Sequence, residues 1–182
     1  MAKPKRIVLC VTGSIAAYRS ADLIRGLVEK GFRVSVVMTK EAEHFITPLT
    51  LSSLSGEKVY RDMFDQFDDP LAMPHITLAQ EADVLLISPA TANIIGKLAY
   101  GITDNLITCI ALATKAPILI APAMNTQMYN NEIVRENRSK LKNRGIQFID
   151  PVKGKLACGT TGEGHIADEK DIIGAVVKAL KR

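Results

Sequence analysis

Five short apolar runs, at residues 7–12, 34–38, 84–88, 118–121 and 147–149, punctuate the chain at intervals too long for hairpins. The stretches between them carry apolar residues at helical spacing, which predicts helices over 15–30, 40–45, 49–54, 75–81, 94–99, 105–114 and 131–144, with a last one at 169–180. Gly31 and Gly145 stand just past two of these, where a helix ends on glycine. Continuous apolar strands alternating with helices predict an α/β fold: a three-layer Rossmann-like (flavodoxin-like) parallel sheet with helices on both faces. Residues 56–74 have no clear period and hold Asp and Pro clusters, so they read as an irregular excursion before the helix that opens at His75. No internal repeat or low-complexity segment interrupts the pattern.

Length adds one constraint. The 182 residues suit a single domain, 1–182, large enough to bury a core without disulfides or metals. Cys10 and Cys109 sit inside apolar runs and Cys158 stands alone, so the three cysteines share no metal-ligand spacing and fit a reducing cytosol. No metal site is expected. The basic start, residues 1–6, leads into a run far too short to span a membrane or to form a signal-peptide core, so a cytoplasmic protein with no membrane partner is expected. The net charge is +4, and its basic residues are scattered. Those at Arg138, Lys140, Lys142 and Arg144 read as the solvated face of one helix. With no Trp and few aromatics there is no stacking platform, and nucleic acid is not an expected partner.

Candidate chemistry gathers where strands end, the edge on which open α/β sheets build ligand sites. After the first strand, Gly13 allows close backbone approach and Ser14 offers a hydroxyl at a helix start, an anion site of the phosphate kind. Thr39, after the second strand, can add a hydroxyl, although Ser14 and Thr39 equally serve as plain helix caps. The G-x-G-x-x-G fingerprint is absent and the second strand ends without an acidic residue, so a mononucleotide fits better than a dinucleotide. After the third long strand, Pro89-Ala90-Thr91-Ala92-Asn93 leaves room for a flat ring, with Thr91 and Asn93 able to bond its heteroatoms. The next run enters Pro122-Ala123-Met124-Asn125, placing the amide of Asn125 at a strand end. Met124 and Met128 beside it are packing residues or ligand lining. His75 suits proton transfer, though a lone histidine is more often structural. Cys158 lies in a glycine-rich stretch with Gly159, Gly162 and Gly164, accessible and without a partner cysteine. Asp104-Asn105 reads as a helix N-cap.

These segments, in this order over nearly the whole chain, resemble the homo-oligomeric flavin-containing cysteine decarboxylases. They match most closely the branch that acts on phosphopantothenoylcysteine in coenzyme A biosynthesis. The resemblance rests on Gly13 to Tyr18, Phe45 to Leu49, His75-Ile76, Pro89 to Asn93, Asp104 to Leu106, Pro122 to Met128, and Ala157-Cys158-Gly159 with Gly162 and Gly164. It departs at Thr91, usually Ser, and at His165, often Arg or Ala. It implies FMN, with its phosphate near Gly13, Ser14, Ile15 and Thr39 and its ring near Pro89, Ala90, Thr91 and Ala92. It further implies that the substrate cysteine is oxidised to a thioaldehyde, loses carbon dioxide and is returned from an enethiol to a thiol, giving 4'-phosphopantetheine. His75 would serve the oxidative and decarboxylating half, Asn125 would bind the carboxylate, and Cys158 would give the last proton. Met124, Met128 and Ala157 would line the substrate. The assembly implied is a homotrimer or a homododecamer built from trimers. Peptidyl-cysteine decarboxylases of lantibiotic maturation share the first half-reaction but lack a cysteine acting like Cys158. Non-catalytic regulatory flavoproteins of the same family need not keep His75, Asn125 and Cys158 together.

Overall fold

In a computed structural model, which describes residues 3–64, 73–155, 159 and 161–181, six strands form one parallel sheet in the order β3-β2-β1-β4-β5-β6. They are β1 (Arg6–Val11), β2 (Arg33–Met38), β3 (Val59–Tyr60), β4 (Val84–Ala90), β5 (Ile118–Pro122) and β6 (Gln147–Phe148). This is the Rossmann order, not the flavodoxin order 2-1-3-4-5, and it reverses direction between β1 and β4. The expected helices found nearly whole are α2 (Pro48–Ser55), α3 (Pro74–Glu81), α4 (Ala92–Tyr100), α5 (Leu106–Ala113), α7 (Glu132–Lys142) and α8 (Glu169–Ala179). The others are α1 (Ser20–Glu29) and α6 (Thr126–Asn130).

The central strands are almost continuously apolar, with only Ser35 of β2 and Ser88 of β4 as polar residues buried within them, because both faces are covered. Along β1, Ile7, Leu9 and Val11 face a core completed by Leu23, Ile24 and Leu27 of α1, Leu51 of α2 and Val176 of α8. Val8 and Cys10 face the opposite core, with Leu78 of α3, Ile94 and Ile95 of α4, Ile110 of α5 and Leu141 of α7. Strand side chains alternate between faces, so one strand supplies two cores. Burial pushes the Cys10 thiol far up, which leaves it a neutral packing group.

Helix ends follow local chemistry. Gly31, at φ 81°, and Gly145, at φ 85°, stop α1 and α7 as expected. Asn105 caps α5 through a reciprocal capping box with Thr108. The expected helix 15–30 divides into a 3-10 turn, Ile15–Arg19, and α1, while 40–45 keeps only a 3-10 turn at Ala42–His44.

Three elements depart from the pattern. The excursion contains the short edge strand β3, paired with β2 at Val36 and Val37. The Pro-Ala-Met-Asn turn continues into α6. The glycine-rich stretch near the carboxyl end includes an antiparallel pair, β7 (Val152–Lys155) and β8 (Thr161–His165). The basic residues of α7 also do more than face solvent. Arg138 stacks 3.7 Å over the Tyr129 ring, and Lys140 lies 4.0 Å over Tyr100, so their stems cover aromatic surface. Among the described residues no helix is long and apolar enough to cross a membrane.

Candidate functional site

Loops at the carboxyl ends of β1, β2, β4 and β5 enclose a crevice at the point where the strand order reverses. It comprises two cavities, of about 600 Å3 and about 420 Å3, which share Gly13, Thr91, Ala92 and Met128. Both lie within the ~300–1,000 Å3 usual for cofactor sites.

The floor is fixed by a residue that the sequence reading named only as a strand end. Thr12, 2% exposed, donates its hydroxyl to Pro89 O at 2.7 Å and accepts from Thr91 N at 3.2 Å. It thereby ties the end of β1 to the end of β4 across the switch point. A hydroxyl terminating an otherwise apolar buried strand is the sequence signal, because a buried polar group requires partners. Pro89 and Ala90 belong to this floor: Pro89 O receives Thr12, and Ala90 O receives Ala123 N at 3.0 Å. Neither lines either of these two cavities. Thr91 and Ala92 do, with Thr91 also capping α4 through Ile94 N.

Gly13 lies between both cavities because nothing larger fits. A Cβ there would come within 2.4 Å of Glu41 Cβ, so the loop after β1 meets the loop after β2 at backbone distance. Ser14 Oγ accepts from Ala16 N at 3.3 Å, and Thr39 Oγ1 accepts from Ala42 N at 3.3 Å. Both cap short turns, and both line the crevice, Thr39 in the larger cavity and Ser14, with Ile15, in the smaller. Around the larger cavity Lys97 pairs with Asp104 at 2.7 Å, and Lys40 lies 3.8 Å from Asp62. Arg61, Asp62, Met63 and Phe64 reach this cavity from the excursion, whose lack of period concealed them.

Asn125 is the N-cap of α6, its Oδ1 accepting from Gln127 N at 2.8 Å. The cap holds the amide oxygen and so fixes which way the amide points, beside Met124 and Met128 in the smaller cavity. Tyr129 anchors the helix behind it, with its ring under Arg138 and its hydroxyl donating to Asp150 at 3.2 Å. Burial, followed by nearby Asp150, pushes the Tyr129 phenol up to about 12. On the other side β8 is pressed against this turn. Met124 N donates to Gly164 O at 3.1 Å, and a Cβ at Gly164, where φ is 139°, would lie 2.1 Å from Met124 O. A Cβ at Gly162 would similarly meet Thr126 Oγ1 at 2.3 Å. Close packing thus accounts for these two glycines.

His75 stands in the first turn of α3, half-buried, at the same edge of the sheet because α3 runs back toward the start of β4. Its Nδ1 is sequestered without a hydrogen-bond partner among the described residues. It lines neither cavity. Cys158 and Ala157 lie outside the described residues.

A family model described as flavoprotein matches residues 1–181. The chain belongs to the flavoprotein family. A relative from Streptococcus mutans, a probable phosphopantothenoylcysteine decarboxylase, is 46% identical over 97% of this chain and 99% of its own length. The coenzyme A biosynthesis bifunctional protein CoaBC of Bacillus subtilis is 43% identical over 95% of this chain, which spans only 42% of that protein. Among solved structures, a PPC decarboxylase mutant complexed with pantothenoylaminoethenethiol superposes with a TM-score of 0.89 at 34% identity, covering 99% of this chain and 100% of that one. The FMN-dependent cysteine decarboxylase SpaF gives 0.84 at 29%, covering 97% and 95%. The crevice fits a flavin: it offers hydroxyls at Ser14, Thr39 and Thr91, a backbone cradle at Gly13 that a Cβ would fill, and a floor of small residues.

Proposed function

We propose that this chain is a phosphopantothenoylcysteine decarboxylase of coenzyme A biosynthesis, acting in the cytoplasm with FMN and converting 4'-phosphopantothenoylcysteine to 4'-phosphopantetheine and carbon dioxide. The observation that carries this reading is Asn125, capped and oriented in the same crevice as Gly13, Thr91 and Ala92. FMN, when bound, supplies a reversible two-electron acceptor. Gly13, Ser14, Ile15 and Thr39 would hold its phosphate, and the segment from Pro89 to Ala92 would hold its ring.

The chain's own groups then divide the work. Asn125 holds the substrate carboxylate through a neutral amide. A full cation would stabilise the carboxylate more than the charge-dispersed transition state in which carbon dioxide departs, so a neutral donor is the better choice. Met124, Met128 and Ala157 flank the substrate. His75 moves the proton of the first half-reaction, and the orphaned Nδ1 supports a role that awaits a partner. Cys158 delivers a proton to the enethiol, since a thiol is far more acidic than an alcohol.

That His75 lines neither cavity of the crevice that holds Asn125 supports a site shared between neighbouring chains. A homotrimer, alone or assembled into a dodecamer, supplies the missing half from a neighbour. Leu112, 58% exposed on the largely apolar α5, is surface for such a contact. Anaerobic incubation of the holoprotein with phosphopantothenoylcysteine, followed by mass spectrometry, tests the activity: 4'-phosphopantetheine is expected. With Cys158→Ser the enethiol should accumulate. Intact substrate with the wild-type protein would overturn the reading, and a wild-type product that stops at the enethiol would place the chain with the peptidyl-cysteine branch.

A further inference from the structure

Asn125 sits at the start of a helix too short to hold itself. The five residues of α6 make little more than one turn, and a helix of that length has no stability of its own in water. The frame of the amide nevertheless depends on it, since Asn125 Oδ1 accepts from Gln127 N at 2.8 Å and Asn125 O accepts from Tyr129 N at 2.9 Å. On the amino-terminal side the turn is tied to β8, where Gly164 O accepts from Met124 N. The carboxyl-terminal side needs a tie as well.

Arg138 supplies it. Asn131 caps the start of α7, and Arg138 stands two turns further on, with a side chain that leans toward the amino end of its helix and so back over α6. Its guanidinium stacks 3.7 Å over the ring of Tyr129, and Nη2 donates to Tyr129 O at 3.3 Å. One side chain thus covers the ring and takes up one of the carbonyls that a helix end leaves without an internal partner. Arg138 forms no ion pair among the described residues. Its Nε is buried and has no hydrogen-bond partner among them. A long side chain on a surface helix could swing into water and satisfy that donor, so the stack and the carbonyl bond together outweigh a sequestered N–H. Lys140 and Lys142, on the same helix, lie instead over Tyr100 and Phe148, rings outside α6.

We propose that Arg138 is a positioning residue for the decarboxylation, fixing the Asn125 amide by clamping the far end of α6 through Tyr129. This rests on the proposed decarboxylase reading, in which Asn125 meets the substrate carboxylate. Arg138 lines neither cavity and acts from behind the turn. The arrangement is chemically apt: a cation placed there stiffens the geometry of the amide without presenting its own charge to a carboxylate that must become neutral.

The test compares wild type, Arg138→Met and Arg138→Lys as FMN-bound holoproteins. Amide hydrogen exchange of the segment 125–130, read by mass spectrometry, should speed up about tenfold in Arg138→Met, the size of one charge-assisted hydrogen bond, while α3 and α8 exchange as in wild type. With phosphopantothenoylcysteine, kcat should fall by about the same factor or more while KM and FMN affinity hardly change, because a misplaced amide weakens the transition state and leaves the rest of the site intact. Arg138→Lys, which keeps the charge but has no plane to stack, should lie between the two. Wild-type exchange over 125–130 in Arg138→Met would overturn the proposal, and so would faster exchange there with undiminished kcat. Should Arg138→Met not fold, Arg138→Lys carries the same two readings. If the wild-type protein left the substrate intact, the decarboxylase reading would fail, while the exchange arm would still decide whether Arg138 holds the turn.

Discussion

Asn125 separates geometry from charge unusually cleanly. Aspartate is as good an N-cap as asparagine, so Asn125→Asp should keep α6 and its bond from Gln127 N while placing a negative charge against the substrate carboxylate. The expected result is flavin retention near the wild-type level with decarboxylation lost, read by absorbance and by carbon dioxide release. Wild-type turnover would remove Asn125 from the carboxylate site. Thr12 answers a different question. Thr12→Val is nearly isosteric but leaves Pro89 O and Thr91 N without their side-chain partner, at a cost of about 1–3 kcal/mol, whereas Thr12→Ser keeps both bonds. Chemical denaturation should therefore rank wild type and Ser above Val, and flavin retention should follow the same order.

At the scale of elements, the contact between β8 and the α6 turn yields the sharpest expectation. Gly164→Ala faces both an unfavourable φ and Met124 O at 2.1 Å, so it should destabilise the protein by more than about 1–3 kcal/mol and displace Met124 and Asn125. Gly56→Ala is the control, since φ there is 69° but nothing lies within 4 Å. It should cost only about 1–2 kcal/mol of backbone strain and leave turnover intact. Thermal unfolding and activity assays distinguish the two. The same pair of elements marks how far the sequence could be read. The five apolar strands were legible because burial on both faces leaves a continuous hydrophobic run. Strand β3 and the β7–β8 pair were not, being defined by hydrogen bonding to a neighbour and holding few apolar residues. Asn125, Gly13 and Thr91 were legible as small or polar residues at strand ends. Thr12 required knowing which carbonyl would come within reach.

For the whole molecule, the separation of His75 from the crevice that contains Asn125 leads to a complementation test. Neither His75→Asn nor Asn125→Asp should decarboxylate alone. Mixed through unfolding and refolding, the two should regain activity, because a chain with intact His75 can then face a chain with intact Asn125. Native mass spectrometry of the mixture should show trimers containing both variants. Failure to regain activity in such mixed trimers would place the complete site within one subunit.

Gly13 and Gly164, the two points where the backbone itself closes the crevice, belong to opposite ends of the chain, one just after the first strand and the other shortly before the last helix. A ligand seated between them clamps both ends at once, so its binding energy adds directly to the stability of the folded chain. The yellow colour of a preparation would then serve as a folding gauge. A lesion in either terminal third, however distant from the chemistry, should register first as bleaching of the protein, before any loss of helical signal.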